Sequence, residues 1–217
     1  MRTISRAAIA VVAVLGLAAC STDDSTDATA TTSPTASASQ TTEPSQAPSV
    51  EPTSEGVEAY VYALPAGVIA GTNEATAWEA LMSPVGEYAA SAMYQAVIDE
   101  FGQVEPYVTI RAAEERHISA LIRQLDRYGI DVPANPYLGV VVAPADLQTA
   151  AQAWAIGEIE NVAMYDDLLG KTSDSNLTRV LTNLRASSQD SHLPLFEAAA
   201  ENGGTLTVEQ MMAIQAG

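Results

Sequence analysis

A glutamate and a histidine three residues apart, Glu114 and His117, sit inside the amphipathic run 110–128. On a helix this spacing puts both on one face. The same face carries Ile110, Leu121 and Tyr128 at a period of 3.6 residues. The segment is therefore a helix that lines up a carboxylate and an imidazole with residues meant for burial. Leaving such groups buried without partners costs several kcal/mol. Whatever packs around this helix must supply a metal ion, another polar side chain or water.

The rest of the chain offers more helices to do so. The spacing predicts a helix over 84–101, with Ser83 as N-cap, Pro84 in the first turn and Gly102 past the end. The Glu114 helix spans 106–128 and stops at Gly129. A third helix covers 145–169, ending at Gly170, and a fourth runs 174–201, ahead of Asn202-Gly203-Gly204. Pro194 lies within the fourth, where it removes a backbone bond and should kink the last turns. Shorter helices are expected over 72–82, carrying Trp78 and Leu81, and from Val208, where Thr207 and Gln210 form a capping box. Residues 57–68 fit either a short strand or an extended lead-in. The linker 130–144 holds three prolines and a glycine, and its apolar stretch 138–142 reads as loop. Four long amphipathic helices joined short, long, short make an all-α antiparallel four-helix bundle, with the longer crossover between the second and third helices. The folded domain is expected over 57–217, with the core bundle at about 84–201, long enough for a substantial core.

Ionisable residues recur on the inner stripes. In the first helix Glu87 is in register with Ser91, Tyr94 and Ile98. In the third, Glu160 has Ile156 four before it, Ala163 three after and Met164 four after. Glu158, flanked by Trp154 and Val162, competes for the same role. In the fourth, His192 continues Leu181, Ser188 and Leu195, so both histidines of the chain face inward. One carboxylate per helix, with histidine at i+3, is how helical bundles hold two metal ions. The candidate metal ligands are Glu87, Glu114, His117, Glu160 and His192. Carboxylates and imidazole suit iron, manganese or zinc. The competing expectation is a hydrogen-bonded polar core without metal, in a structural or protein-interaction module. A hydrolase has little support: there is no GxSxG or HExxH, and the single cysteine is Cys20.

That cysteine follows Arg2, Arg6 and an apolar segment over 7–19. The segment is too short to span a bilayer, which takes roughly 20 residues, and suits a signal-peptide core. Leu17-Ala18-Ala19-Cys20 resembles a bacterial lipobox. The resemblance implies a signal peptide over 1–19, lipidation of Cys20 and a membrane-anchored, extracytoplasmic protein; the plainer alternative is secretory cleavage near Ala19. Residues 20–56 are almost entirely Ser, Thr, Ala, Pro, Gln, Asp and Glu, so they should form a disordered tether. The formal charge of −18 repels phosphate backbones, which argues against nucleic acid and favours metal ions as partners. The Gly/Ala-rich faces of the third helix suit either a homodimer or envelope-protein contact or close helix packing.

Over about residues 81–199 the chain resembles the ferritin-like four-helix proteins, in particular the DUF2202 group of bacterial and archaeal proteins. The residues that carry this are Glu87-Tyr88-Ala89-Ala90 leading to Tyr94, Phe101-Gly102, and Ala113-Glu114-Glu115-Arg116-His117 leading to Leu125-Asp126-Arg127-Tyr128-Gly129-Ile130. Gly157-Glu158-Ile159-Glu160 and Ser191-His192-Leu193 with Phe196 extend it. The resemblance implies a ferritin-like fold with a mono- or dinuclear metal centre, iron first. A full di-iron pattern has a second ExxH on the fourth helix, but here Gln189 stands three before His192. The function expected is a cell-envelope lipoprotein that binds metal, with at most weak redox activity as a metal-dependent oxidoreductase.

Overall fold

The computed structural model describes residues 63–216. The expected signal segment, Cys20, the tether and residues 57–62 lie outside them. The described part is all-helical, with no strand among the described residues. None of its helices is long and apolar enough to cross a membrane.

Helix α1 (Asn73–Met82) is capped by Thr72, whose hydroxyl accepts from the Ala75 amide at 3.3 Å. Helix α2 (Glu87–Phe101) begins three residues later than the Ser83-Pro84 signal suggests. Ser83 closes α1 instead, and Gly86 leads into α2 after a tight turn in which its amide donates to the Ser83 carbonyl at 2.9 Å. A Cβ on Gly86 would lie 2.6 Å from the Ala80 carbonyl oxygen. Only glycine lets α2 start this close to α1.

Helix α3 (Tyr107–Arg127) ends in a Schellman motif: Ile130 N–H donates to the Leu125 carbonyl and Gly129 N–H to that of Asp126, both at 3.0 Å. Gly129 has φ +71°, the left-handed conformation this cap requires. The long linker that follows contains no strand and is pinned to the body. Tyr137 donates to the Met82 carbonyl at 2.8 Å, Asn135 to the Tyr88 carbonyl at 2.8 Å, and Tyr88 to the Pro133 carbonyl at 2.9 Å.

Helix α4 (Leu147–Lys171) is capped by Asp146, which accepts from Thr149 N–H at 2.7 Å. Helix α5 (Ser175–Ser187) is capped by Asp174. A π segment (Ser188–His192) then leads directly into α6 (Leu193–Glu201). Pro194 explains this break, since it has no N–H to donate to the carbonyl four residues back. The irregularity expected after Pro194 is thus met just before it, by a widened turn. Thr207 and Gln210 form the reciprocal capping box of α7 (Val208–Ala216), at 2.7 and 3.2 Å.

Helix α2 packs on α3, and α4 packs on α5, the π segment and α6. The apolar core forms two bodies. One contains Leu81, Leu121, Leu125, Tyr165, Leu168 and Leu181; the other contains Tyr94, Ile110, Ala151, Leu195 and Phe196. On α3, on α4 and along the α5–α6 helix, the residues between these two sets are polar. That polar layer is where the site lies.

Candidate metal centre

Four helical segments each project acidic or imidazole groups into the layer between the two apolar bodies. Glu87 opens α2 and is 1% exposed; Glu114 on α3, Glu158 on α4 and His192 in the π segment are equally buried. His117, one turn beyond Glu114, is slightly more open. Each imidazole faces a pair of carboxylates. His117 Nδ1 is 3.0 Å from Glu114 Oε2 and 3.3 Å from Glu87 Oε2. His192 Nδ1 is 3.1 Å from Glu114 Oε1 and 3.5 Å from Glu158 Oε1. Glu114 therefore gives one oxygen to each imidazole, and the two rings stack with centroids 5.5 Å apart.

Two tyrosines complete the outer carboxylates. Tyr94 donates to Glu158 Oε1 at 2.5 Å, and Tyr165 donates to Glu87 Oε1. The spacing from Glu87 to Tyr94 and from Glu158 to Tyr165 is the same two turns of helix, so α2 and α4 exchange these bonds reciprocally. Around the cluster, Ser188 donates to Asn161 Oδ1 at 2.7 Å and Ser91 to Glu115 Oε1 at 2.9 Å.

The electrostatics follow from burial and crowding. Burial, reinforced by the Glu114 carboxylate, pushes the Glu87 carboxyl up to about 8. Burial acts the same way on Glu114, but its close contacts with Glu87, His117 and His192 outweigh it and hold this carboxyl well below the usual range. Burial opposes charge on both imidazoles, yet the neighbouring carboxylates, Glu114 foremost, raise each to about 10. Burial also lifts Tyr94 and Tyr165 well above the usual phenol range.

Of the residues expected from sequence, Glu87, Glu114, His117 and His192 meet at this point. Glu160 does not: it is exposed and belongs to neither group, and Glu158 takes its place. Two residues on a helix are about 200° apart, so only one of the two can face inward. The buried stripe of α4 runs through Ala151, Glu158, Asn161, Tyr165 and Leu168, whereas Ile156 and Ile159 are 58% and 53% exposed. Of the apolar neighbours that favoured Glu160, Ile156 and Ala163 are on the surface and only Met164 is half-buried. Gln189, the residue three before His192, is exposed and accepts from Arg185 at 2.6 Å. Ser188, four before His192 and on the expected inner stripe, is the buried residue here.

Two overlapping triads result, Glu87–Glu114–His117 and Glu114–Glu158–His192; within each, one donor atom per residue lies within 4.8 Å of the others. Carboxylate oxygen plus imidazole nitrogen is a donor set that can hold a transition-metal ion. One atom tests the fit further. His192 Nδ1 is fully buried and close to two carboxylate oxygens, yet makes no aligned hydrogen bond. Its nearest neighbours are Glu114 Oε1 at 3.1 Å and Glu158 Oε1 at 3.5 Å, so one nitrogen and two oxygens converge where a cation can be ligated. A cleft of about 140 Å³ between α2 and α4 leads to Glu114 and Glu158 past Met93, Trp154 and Gly157.

No protein-family model matches the sequence, and no curated protein matches it. Among solved structures, the crystal structure of a hypothetical protein from Methanococcus jannaschii is similar, with a TM-score of 0.51 and 18% identity. The match covers 71% of this chain and 98% of that one. At this identity the likeness speaks to fold alone.

Proposed function

We propose that the protein is a metal-binding lipoprotein of the cell envelope, with a ferritin-like four-helix domain that holds iron, or a similar transition metal, between its helices. One observation carries this reading: Glu114 is shared by two buried carboxylate–imidazole triads, one on each of its oxygens. A bridging carboxylate flanked by two such sets is what a centre for two ions needs. Glu87, Glu114 and His117 would hold one ion, and Glu114, Glu158 and His192 the other. The bundle assignment rests on α2, α3, α4 and the α5–α6 helix, each of which supplies side chains to one polar layer. The envelope assignment rests on the basic start, the apolar segment and Cys20.

Iron bound here would supply one-electron chemistry; Tyr94 and Tyr165 would orient the outer carboxylates, and the enclosing apolar bodies would exclude bulk water. Binding is the firmer part of the proposal, because Ser188 occupies the place of a further carboxylate on the fourth helix.

Metal analysis of the full-length protein tests it. The expected result is up to two equivalents of iron, manganese or zinc per chain, with affinity lost in Glu114→Ala. Wild-type protein that retains no metal, together with Glu114→Ala indistinguishable from it, would refute the proposal. The competing reading is a structural module of the envelope, favoured by the bonds from Tyr94 and Tyr165 that already satisfy Glu158 and Glu87. It predicts that Glu114→Gln shifts thermal stability while added metal leaves the wild type unchanged.

A further inference from the structure

Glu160, although outside the centre, lines the cleft that reaches it. The cleft walls include Val85, Met93, Tyr94, Trp154 and Gly157, and Glu114 and Glu158 lie among its lining residues. A second, more open groove on the surface is lined by Glu79, Ser83, Met164 and Asp167. The two cavities share Pro84, Val85 and Glu160. Glu160 therefore stands where the outer groove meets the inner cleft. The other two acids of the groove are already matched: Lys171 lies 2.5 Å from Asp167 and 3.5 Å from Glu79. Among the described residues Glu160 has no ion pair of its own.

We infer that this cleft is the path by which divalent cations reach the centre, and that Glu160 is the residue that draws them into it. The inference rests on the metal-binding reading above. Its chemistry is a succession of carboxylates, exposed at Glu160 and buried at Glu158 and Glu114, which offers an incoming cation a partner at each stage of losing its water. The volume of about 140 Å³ has room for an ion with a few of its waters. Glu114 and Glu158, which line the cleft, are the carboxylates that lie 3.1 Å and 3.5 Å from His192 Nδ1. The walls themselves are mostly apolar, so they hold no competing ligand that would trap the ion on the way.

Gly157 gives a second handle that does not depend on charge. It lines the cleft, and a Cβ built there meets nothing within 4 Å. A larger side chain enters open space without clash and is favoured in a helix over glycine. Gly157→Met should therefore fold normally and narrow the passage.

The test uses Co(II), whose visible absorption reports carboxylate and imidazole ligation, mixed with metal-free full-length protein in a stopped-flow instrument. Glu160→Gln is expected to slow loading by about threefold to tenfold at low ionic strength, with the effect shrinking as salt is added. Gly157→Met should slow it at every ionic strength. Both should reach the wild-type amount of bound Co(II), and Glu160→Gln the wild-type affinity. Loading rates equal to wild type in both variants would overturn the path. A Glu160→Gln protein with reduced final affinity and an unchanged rate would overturn it too, by making Glu160 a ligand. If the wild type takes up no Co(II), the metal-binding reading itself fails. If it loads and the variants load as fast, only the path does.

Discussion

Metal binding at this centre should be steeply linked to pH, because protons now occupy the positions a metal would take. His117 and His192 are raised to about 10 and Glu87 to about 8. Each must lose its proton to ligate. At pH 7, displacing a proton from a group at 10 costs about 4 kcal/mol, and from one at 8 about 1 kcal/mol. Affinity therefore rises with pH. An ion held by Glu87, Glu114 and His117 displaces two protons, so between pH 6 and 7 its affinity should climb about a hundredfold. An ion held by Glu114, Glu158 and His192 displaces one from His192, giving about tenfold over the same interval. Competition of Zn(II) against a chelator, repeated across pH 6 to 8, measures the slopes. Calorimetry in buffers of different ionisation enthalpy counts the protons, and about three per chain are expected when both ions are bound. His117→Gln should lower that count by one. An affinity that stays flat over this range, or release of fewer than one proton, would refute the idea that the imidazoles are held protonated and then ligate.

The metal-free protein should show the matching trend in stability. The raised imidazole groups stabilise the fold fully below their unfolded value near 6.5, and that contribution is lost as pH rises through about 10. Thermal midpoints should accordingly fall between pH 7 and 10, and a midpoint that rises would contradict the assignment. Glu114→Ala removes the carboxylate common to both imidazoles and leaves buried positive charge behind, so chemical denaturation at pH 7 should show a loss of about 3–5 kcal/mol. Tyr165→Phe deletes the donor to Glu87 and should cost about 1–3 kcal/mol in the same assay. Glu158→Gln should lower metal affinity where Glu160→Gln does not; equal losses in an equilibrium titration would restore Glu160 as a ligand.

Much of this organisation was legible in the residues. Helix limits at Gly102, Gly129 and Asp174, and the Thr207–Gln210 box, follow from backbone rules that tertiary contacts did not override. Glu87, Glu114, His117 and His192 lie on stripes whose apolar members are buried, so periodicity put them inside. It misplaced Glu160 because Ile156 and Ala163 are exposed, while the true stripe of α4 is partly polar, through Glu158 and Asn161. Periodicity reads hydrophobicity and cannot see a buried stripe made of polar groups. Tyr165, in register with Glu158 and Asn161, was the signal that would have decided it. Ser83-Pro84 carries a good helix-start signature, yet Ser83 sits at the end of α1 because Gly86 allows a turn that a local pattern does not reveal. Ser188 is buried as its place in line with Leu181 and His192 led one to expect; the π segment itself has no signature in that count.

The crossed tyrosine–glutamate bonds between α2 and α4 have a mechanical meaning. Nothing in a long irregular connection dictates how far one helix slides along the other, and apolar packing tolerates small axial offsets. A slide of one residue moves a helix by about 1.5 Å, enough to break both bonds together. Tyr94–Glu158 and Tyr165–Glu87 thus act as two dowels through a lap joint: one alone leaves a pivot, and the pair fixes the alignment. The placement of Glu158 and Glu87 around Glu114 is inherited from that joint.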